Sequence, residues 1–164
     1  MTTSHFNTRA GLDAGFWRVM LVAILVATFT VAVTAAVATF RPLTTGTGAP
    51  MEPALALAWR AGLWFFLLAA VSGFAMGGRG SHSVGGVDGG AGLPLVNWSK
   101  IHGDLRVSHF FALHALQALP AVALLTRALP TVALRVGVVA TAIAVNLLLS
   151  VATLLQALAG RPLW

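Results

Sequence analysis

The charged residues of this chain are spaced so that four long apolar stretches lie between them. No Asp, Glu, Lys or Arg stands between Arg18 and Arg41 or between Arg60 and Arg79. The same holds between Arg106 and Arg127 and between Arg135 and Arg161. Crossing a bilayer's hydrocarbon takes about 20 apolar residues at about 1.5 Å rise each, and every one of these gaps is close to that length or longer. The spacing therefore predicts four transmembrane helices, an all-α four-transmembrane-helix bundle forming one integral-membrane domain over residues 1–164. Strands are not expected to span, because these stretches are continuously apolar and barrel strands alternate.

Composition agrees. Only 9% of the residues are charged and 58% are hydrophobic, against about 25% charged in a soluble domain whose surface must face water. A soluble enzyme, a disordered chain and a nucleic-acid-binding module are excluded on that ground. The net charge of +6 belongs to single Arg residues at the predicted helix ends, where they snorkel and meet anionic headgroups. Cys is absent, which removes disulfides, iron–sulfur clusters, thiolate zinc and thiol catalysis. Tyr is absent too, so Trp17, Trp59, Trp64, Trp98 and Trp164 are left to form the aromatic belt.

Helix limits follow from breakers and caps. Residues 1–15 are polar and read as a loosely ordered tail. The apolar run from Val19 to Phe40 is too long for a signal peptide's apolar region and no cleavage site follows it. Helices are expected over 16–40, 55–76, 100–126 and 130–158. Arg41-Pro42 ends the first, Pro53 precedes the second, Pro120 kinks the third and Pro130 opens the fourth. Ala69, Gly73 and Gly77 form a small-residue stripe suited to close helix packing, within the chain or in a homo-oligomer. Arg9, Arg18, Arg79, Lys100, Arg106 and Arg161 fall on one side of the bilayer, and Arg41, Arg60, Arg127 and Arg135 on the other. Six against four places both termini in the cytoplasm of a bacterial inner membrane.

The loop over 77–98 is rich in glycine: Gly77, Gly78, Gly80, Gly85, Gly86, Gly89, Gly90 and Gly92 all fall within it. It has no Gly-Lys-Ser/Thr and no G-x-G-x-x-G after a strand, so neither phosphate nor dinucleotide binding is read from it. The string GGVDGGAG has the look of a calcium β-roll repeat, but it occurs once and such repeats need stacked copies. A flexible or tightly turning loop is the expectation.

Polar chemistry is concentrated behind that loop. Four of the five histidines, His82, His102, His109 and His114, lie between residues 82 and 114. Ionisable side chains within a membrane span are costly and are candidates for function. At about 100° per residue, His102, Arg106 and His109 share one helical stripe, while His114 is about 140° from His109. His114 and Gln117 share a second face, expected to point into the bundle.

Three functional readings arise. In the first, the polar residues hold helices together: His114 and Gln117 meet Asn146, Ser150 and Thr153 of the fourth helix, and the protein is a non-catalytic accessory or structural subunit, alone, as a homo-oligomer or in a larger membrane complex. In the second, it binds haem or a transition metal. His109, His114 and Gln117 would form a cofactor site, or His82, His102, Asp104 (or Asp88) and His109 a metal site of nitrogen and carboxylate ligands. A variant places a small quinone- or lipid-binding cavity at His114, Gln117 and the fourth helix. The third, a small transporter, is disfavoured, since no acidic residue lies within the charge-free apolar stretches of the predicted helices and no inverted repeat is present. His102 and Asp104 do not face each other on a helix, so a hydrolytic triad is not expected.

The stretch GLPLVNWSKIHGDLRVSHFFALHALQALP, about 30 residues around the third helix, resembles small four-helix bacterial membrane proteins of unassigned function. The resemblance implies a four-helix membrane fold and transfers no active site.

Overall fold

The computed structural model describes residues 11–163. His5, Arg9, Trp164 and most of the polar tail lie outside the described residues. Four long helices carry the chain: α1 (Gly11–Phe40), α2 (Pro53–Arg79), α3 (Leu105–Leu125) and α4 (Val132–Leu158). A 3-10 turn at Thr126–Ala128 follows α3, and a two-residue antiparallel pair, β1 (Ser83–Val84) with β2 (Gly103–Asp104), joins the loop to the start of α3. Each of the four helices is long and apolar enough to cross a membrane. Counting the 3-10 turn with α3, they run from 24 to 30 residues, or about 36 to 45 Å.

The limits have local causes. Glu52 accepts from the Leu55 amide at 2.9 Å and Pro53 opens α2, so an orphan donor and a missing donor coincide. Gly80, at φ 62°, closes that helix. Thr131 caps α4 through the Leu134 amide at 3.2 Å. Residues 11–15, expected in the tail, are already helical, with Asp13 in the first turn, where a carboxylate meets the positive end of the helix dipole.

α3 starts at Leu105, later than the predicted Lys100. The Ser99 hydroxyl accepts the amides of Ile101 (3.3 Å) and His102 (3.0 Å), and the Asp104 carboxylate accepts that of Arg106 (3.0 Å). Ser99 thus caps one turn in the manner of an N-cap, but Gly103 and Asp104 pair with Val84 and Ser83 and stop it there, and Asp104 caps the helix proper.

α2, α3 and α4 pack on one another, and α1 lies mainly along α2. The buried residues Ala58, Gly62, Phe65, Ala69 and Ser72 of α2 face the buried Leu105, Ser108, Ala112, Ala115 and Leu119 of α3. Steps of three and four residues on both helices make this a heptad seam. Most of its members are small, so the backbones come close. The core continues through Ala54, Ala123 and Val139 of α4. The predicted four-helix bundle is thus a three-helix core with a flanking α1, whose buried residues are Ala14, Ala35 and Ala38. Arg60 ties α1 to α2 by donating to the Ala38 and Arg41 carbonyls at 2.7 and 3.2 Å. Trp64 of α2 lies level with the end of α1 and donates to Thr39 Oγ1 at 3.1 Å.

Two of the three stripe residues are used within the chain. Ala69 is buried, and a Cβ on Gly73 would lie 3.2 Å from His109 Cε1. Gly77 has nothing within 4 Å of that position.

Candidate functional site

The glycine-rich segment is a folded cap on the end of the bundle where α2 stops and α3 begins. Asp88 organises its first half, accepting from Ser81 Oγ at 2.7 Å, the Ser83 amide at 2.9 Å and the His82 amide at 3.2 Å. Asp104 organises the second half. It is buried, and accepts from the Ser99 amide at 2.9 Å, the Arg106 amide at 3.0 Å and the Arg106 guanidinium at 2.6 Å. Arg106 Nη2 also donates to the Asn97 carbonyl at 2.5 Å. The Leu105 amide donates to the His82 carbonyl at 3.0 Å, closing the two halves on each other.

His82 sits between the two carboxylates, its Nδ1 3.4 Å from Asp88 Oδ1 and 3.7 Å from Asp104 Oδ1. Burial lowers its pKa, and the Arg106 charge lowers it further against the pull of both carboxylates. Burial pushes the Asp104 carboxyl up, but the hydrogen bonds from Arg106 and Ser99 outweigh that and hold it below the ordinary carboxylate range. Asp88 is likewise held low, its bonds from Ser81, Ser83 and His82 exceeding the effect of burial.

Two small cavities lie here. One of about 30 Å³ is lined by His82, Ser83, Gly89, Asn97, Ser99 and Arg106 among others. The second, about 10 Å³, lies between Ser99, Asp104, Thr153, Gln156 and Arg161. These are the sizes of water sites.

The proposed metal set does not assemble. His82 and Asp104 are neighbours, but the His102 ring packs over Gly86 and His109 faces α2. Among the described residues no three His, Asp or Glu side chains form a group able to hold a metal ion. His102 precedes α3, so it cannot share the helical stripe of Arg106 and His109.

His109 and His114 diverge as the helical angle requires. His109 Nδ1 lies 2.9 Å from the Ala69 carbonyl and 3.2 Å from Ser72 Oγ, both on α2. A carbonyl only accepts, so Nδ1 carries a proton, and in the neutral tautomer Nε2 is the acceptor. His114 Nδ1 lies 2.9 Å from the Phe110 carbonyl, one turn back, and its ring stacks on Phe110 at 4.1 Å between centroids. The same reasoning makes its Nε2 the acceptor in the neutral tautomer.

Contrary to expectation, His114 and Gln117 lie on the exposed outer face of α3 rather than inside the bundle. The link to α4 is made elsewhere: Asn146 Nδ2 donates to the Phe111 carbonyl at 3.4 Å, and Ser150 Oγ donates to Asn146 Oδ1 at 3.4 Å. Sequence reasoning missed the grip of Asp104 on Arg106. Its signal was an Asp immediately before an apolar helical run, which marks a helix cap.

The chain matches no protein-family model, no curated protein and no solved structure.

Proposed function

We propose that this is a multi-pass protein of the bacterial inner membrane, with both termini in the cytoplasm, acting as a non-catalytic accessory or structural subunit. The observation that carries this reading is how the polar groups near the bundle are used. His109 joins α3 to α2 through Ala69, Asn146 joins α4 to α3 through Phe111, and Asp104 fastens the loop to α3. Each does the work of an interhelical or interloop fastener, for which buried polar groups in membrane proteins serve. The likeness of the third-helix stretch to small four-helix bacterial membrane proteins supports the same placement.

A second reading, a histidine-ligated haem or metal protein, is favoured by one feature. His109 and His114 each donate Nδ1–H to a carbonyl, the arrangement that orients a ligating imidazole and leaves Nε2 for a metal. Detergent-purified protein decides between the two. The structural reading expects a colourless preparation without stoichiometric metal. A Soret band lost in His109→Ala or His114→Ala replaces it with the cofactor reading.

Topology has its own test, made simple by the absence of Cys. Thr44→Cys, Gly89→Cys and Arg127→Cys, made singly, sample the three connections. In intact cells a membrane-impermeant maleimide should label positions 44 and 127, and position 89 only after permeabilisation. The inverse pattern overturns the orientation.

A further inference from the structure

One face of α3 is left largely uncovered: at its top Phe110 meets Trp98 of the loop edge-on, at 5.4 Å between ring centroids, and below that no other helix packs on it. Phe110, His114, Gln117, Ala121 and Leu124 are all exposed and recur at steps of four, three, four and three. That is a heptad seam, and at about 100° per residue His114 lies about 160° around the helix from Ala112, which faces α2. Two of its members are polar. With Nδ1–H spent on the Phe110 carbonyl, Nε2 of His114 is the acceptor of the neutral tautomer. The Gln117 carboxamide has donors and an acceptor with no partner among the described residues.

Other polar groups on the outer faces of the spans are treated differently. Thr30, Thr34 and Thr141 each donate to a carbonyl one turn back on their own helix, at 2.9, 2.8 and 3.0 Å. His114 and Gln117 have no such outlet for Nε2 and the amide. Facing lipid, these groups would remain unsatisfied, which hydrocarbon penalises heavily.

We propose that this seam binds a second copy of the chain, two α3 helices running parallel about a two-fold axis normal to the membrane. This rests on the membrane reading above. In a parallel seam each knob is flanked by the partner's residues one step above and below. His114 Nε2 of one copy then accepts from the Gln117 amide of the other, and the two-fold repeats the bond in reverse. The seam is self-complementary, as an isologous interface must be. Ala121 lets the helices approach, and Phe110 and Leu124 cover the polar pair at either end. Each copy supplies one donor and one acceptor at matching heights, so a second copy pairs both His114 Nε2 atoms at once.

Cross-linking in native membranes tests this. Ala121→Cys, on the seam, should form a disulfide-linked dimer on mild oxidation. Leu148→Cys, at a position 69% exposed on the outside of α4, should not. Adding His114→Leu or Gln117→Leu to Ala121→Cys should weaken association about tenfold, while resistance to alkaline carbonate extraction and the maleimide labelling pattern stay as in the parent. A monomer with Ala121→Cys, equal cross-linking through Leu148→Cys, or indifference to His114→Leu overturns the dimer alone. So does a stoichiometric foreign protein, or a coloured cofactor lost with His114, occupying the seam. Extraction of the parent chain by carbonate removes the membrane reading and the dimer together.

Discussion

Asp104 holds Arg106 in two ways at once, accepting from its guanidinium Nη2 at 2.6 Å and from its backbone amide at 3.0 Å. The helix cap and the ion pair therefore share one carboxylate. The same carboxylate takes the Ser99 amide, so the start of α3 and the end of the glycine-rich loop are fastened at a single buried group. Arg106 passes the connection on to the Asn97 carbonyl.

Asp104→Asn should accordingly be among the most damaging substitutions in the loop. It loses a charge-assisted pair and weakens a cap, together about 2–4 kcal/mol. Equilibrium unfolding in detergent micelles measures this. A variant within about 0.5 kcal/mol of the parent, the range of an ordinary surface substitution, would show that Arg106 and Ser99 find other partners without loss.

Stability should fall on acidification in two stages. His82 is held neutral below its ordinary pKa of 6.5 by burial and by Arg106. An unfolded chain binds that proton first, so His82 stabilises the fold above 6.5 and its contribution declines as pH drops below it. Asp88 and Asp104 are depressed from an ordinary 3.8, so their contribution is full above that value and is lost as pH falls through it and below. Melting temperature against pH should show both declines. His82→Gln should remove the upper one and leave the lower, and a flat profile between about pH 7 and 5 in the parent would refute the His82 assignment.

The helices were legible because charges and prolines punctuate the chain at the scale of a bilayer. The start of α3 was not, for a reason visible at two residues. Gly103 and Asp104 are drawn into a strand by Val84 and Ser83, far back in the chain, so the turn that Ser99 caps at Ile101 and His102 goes no further. Local pattern does not contain that pairing. The separation of His109 from His114 followed from helical angles, but which of them faces the bundle did not. A soluble helix announces its inner face by apolar contrast; here each side of α3 carries a polar pair, Ser108 and His109 inside and His114 and Gln117 outside, and the small residues Ala112 and Ala115 mark the inner one. The metal set had placed His102 on a helical stripe with His109, whereas α3 begins only at Leu105.

Two interhelical bonds should differ in strength. His109 reaches the Ala69 carbonyl at 2.9 Å, whereas Asn146 reaches that of Phe111 at 3.4 Å. Removing an interhelical bond in a membrane protein costs about 0.6 kcal/mol on average and up to about 1.7 kcal/mol. His109→Leu should fall near the upper value and Asn146→Leu near the lower. Unfolding of the two variants in the same micelle checks the order, and the reverse order would contradict these geometries.

Leu95 offers a gain. It is fully exposed, with φ at 69° in the left-handed region, which costs a side-chain-bearing residue about 1–2 kcal/mol. Leu95→Gly removes that strain and gives back part of it in chain entropy. The net should be a stabilisation of about 0.5–1 kcal/mol, read as a higher melting temperature; a lower one would mean that the Leu95 side chain contributes a contact absent from the isolated chain.

Gly103 should tolerate no side chain. A Cβ there would strike the backbone carbonyl of Ala157 on α4, and neither partner is free to retreat. Gly103 pairs with Val84 and precedes the anchored Asp104, while the Ala157 carbonyl accepts the Gly160 amide at 2.9 Å in the turn that ends α4. Overpacking at such a point costs about 1–3 kcal/mol or more, so Gly103→Ala should lower the melting temperature and loosen α4 from the loop. Gly137→Ala is the control: nothing lies within 4 Å of its Cβ position, and alanine within a helix should stabilise by about 0.5–1 kcal/mol. Hydrogen exchange of the Gly160 amide, which closes the turn at the end of α4, adds a local readout. It should quicken in Gly103→Ala and not in Gly137→Ala, and equal rates in both would place the close approach of Gly103 to α4 in error.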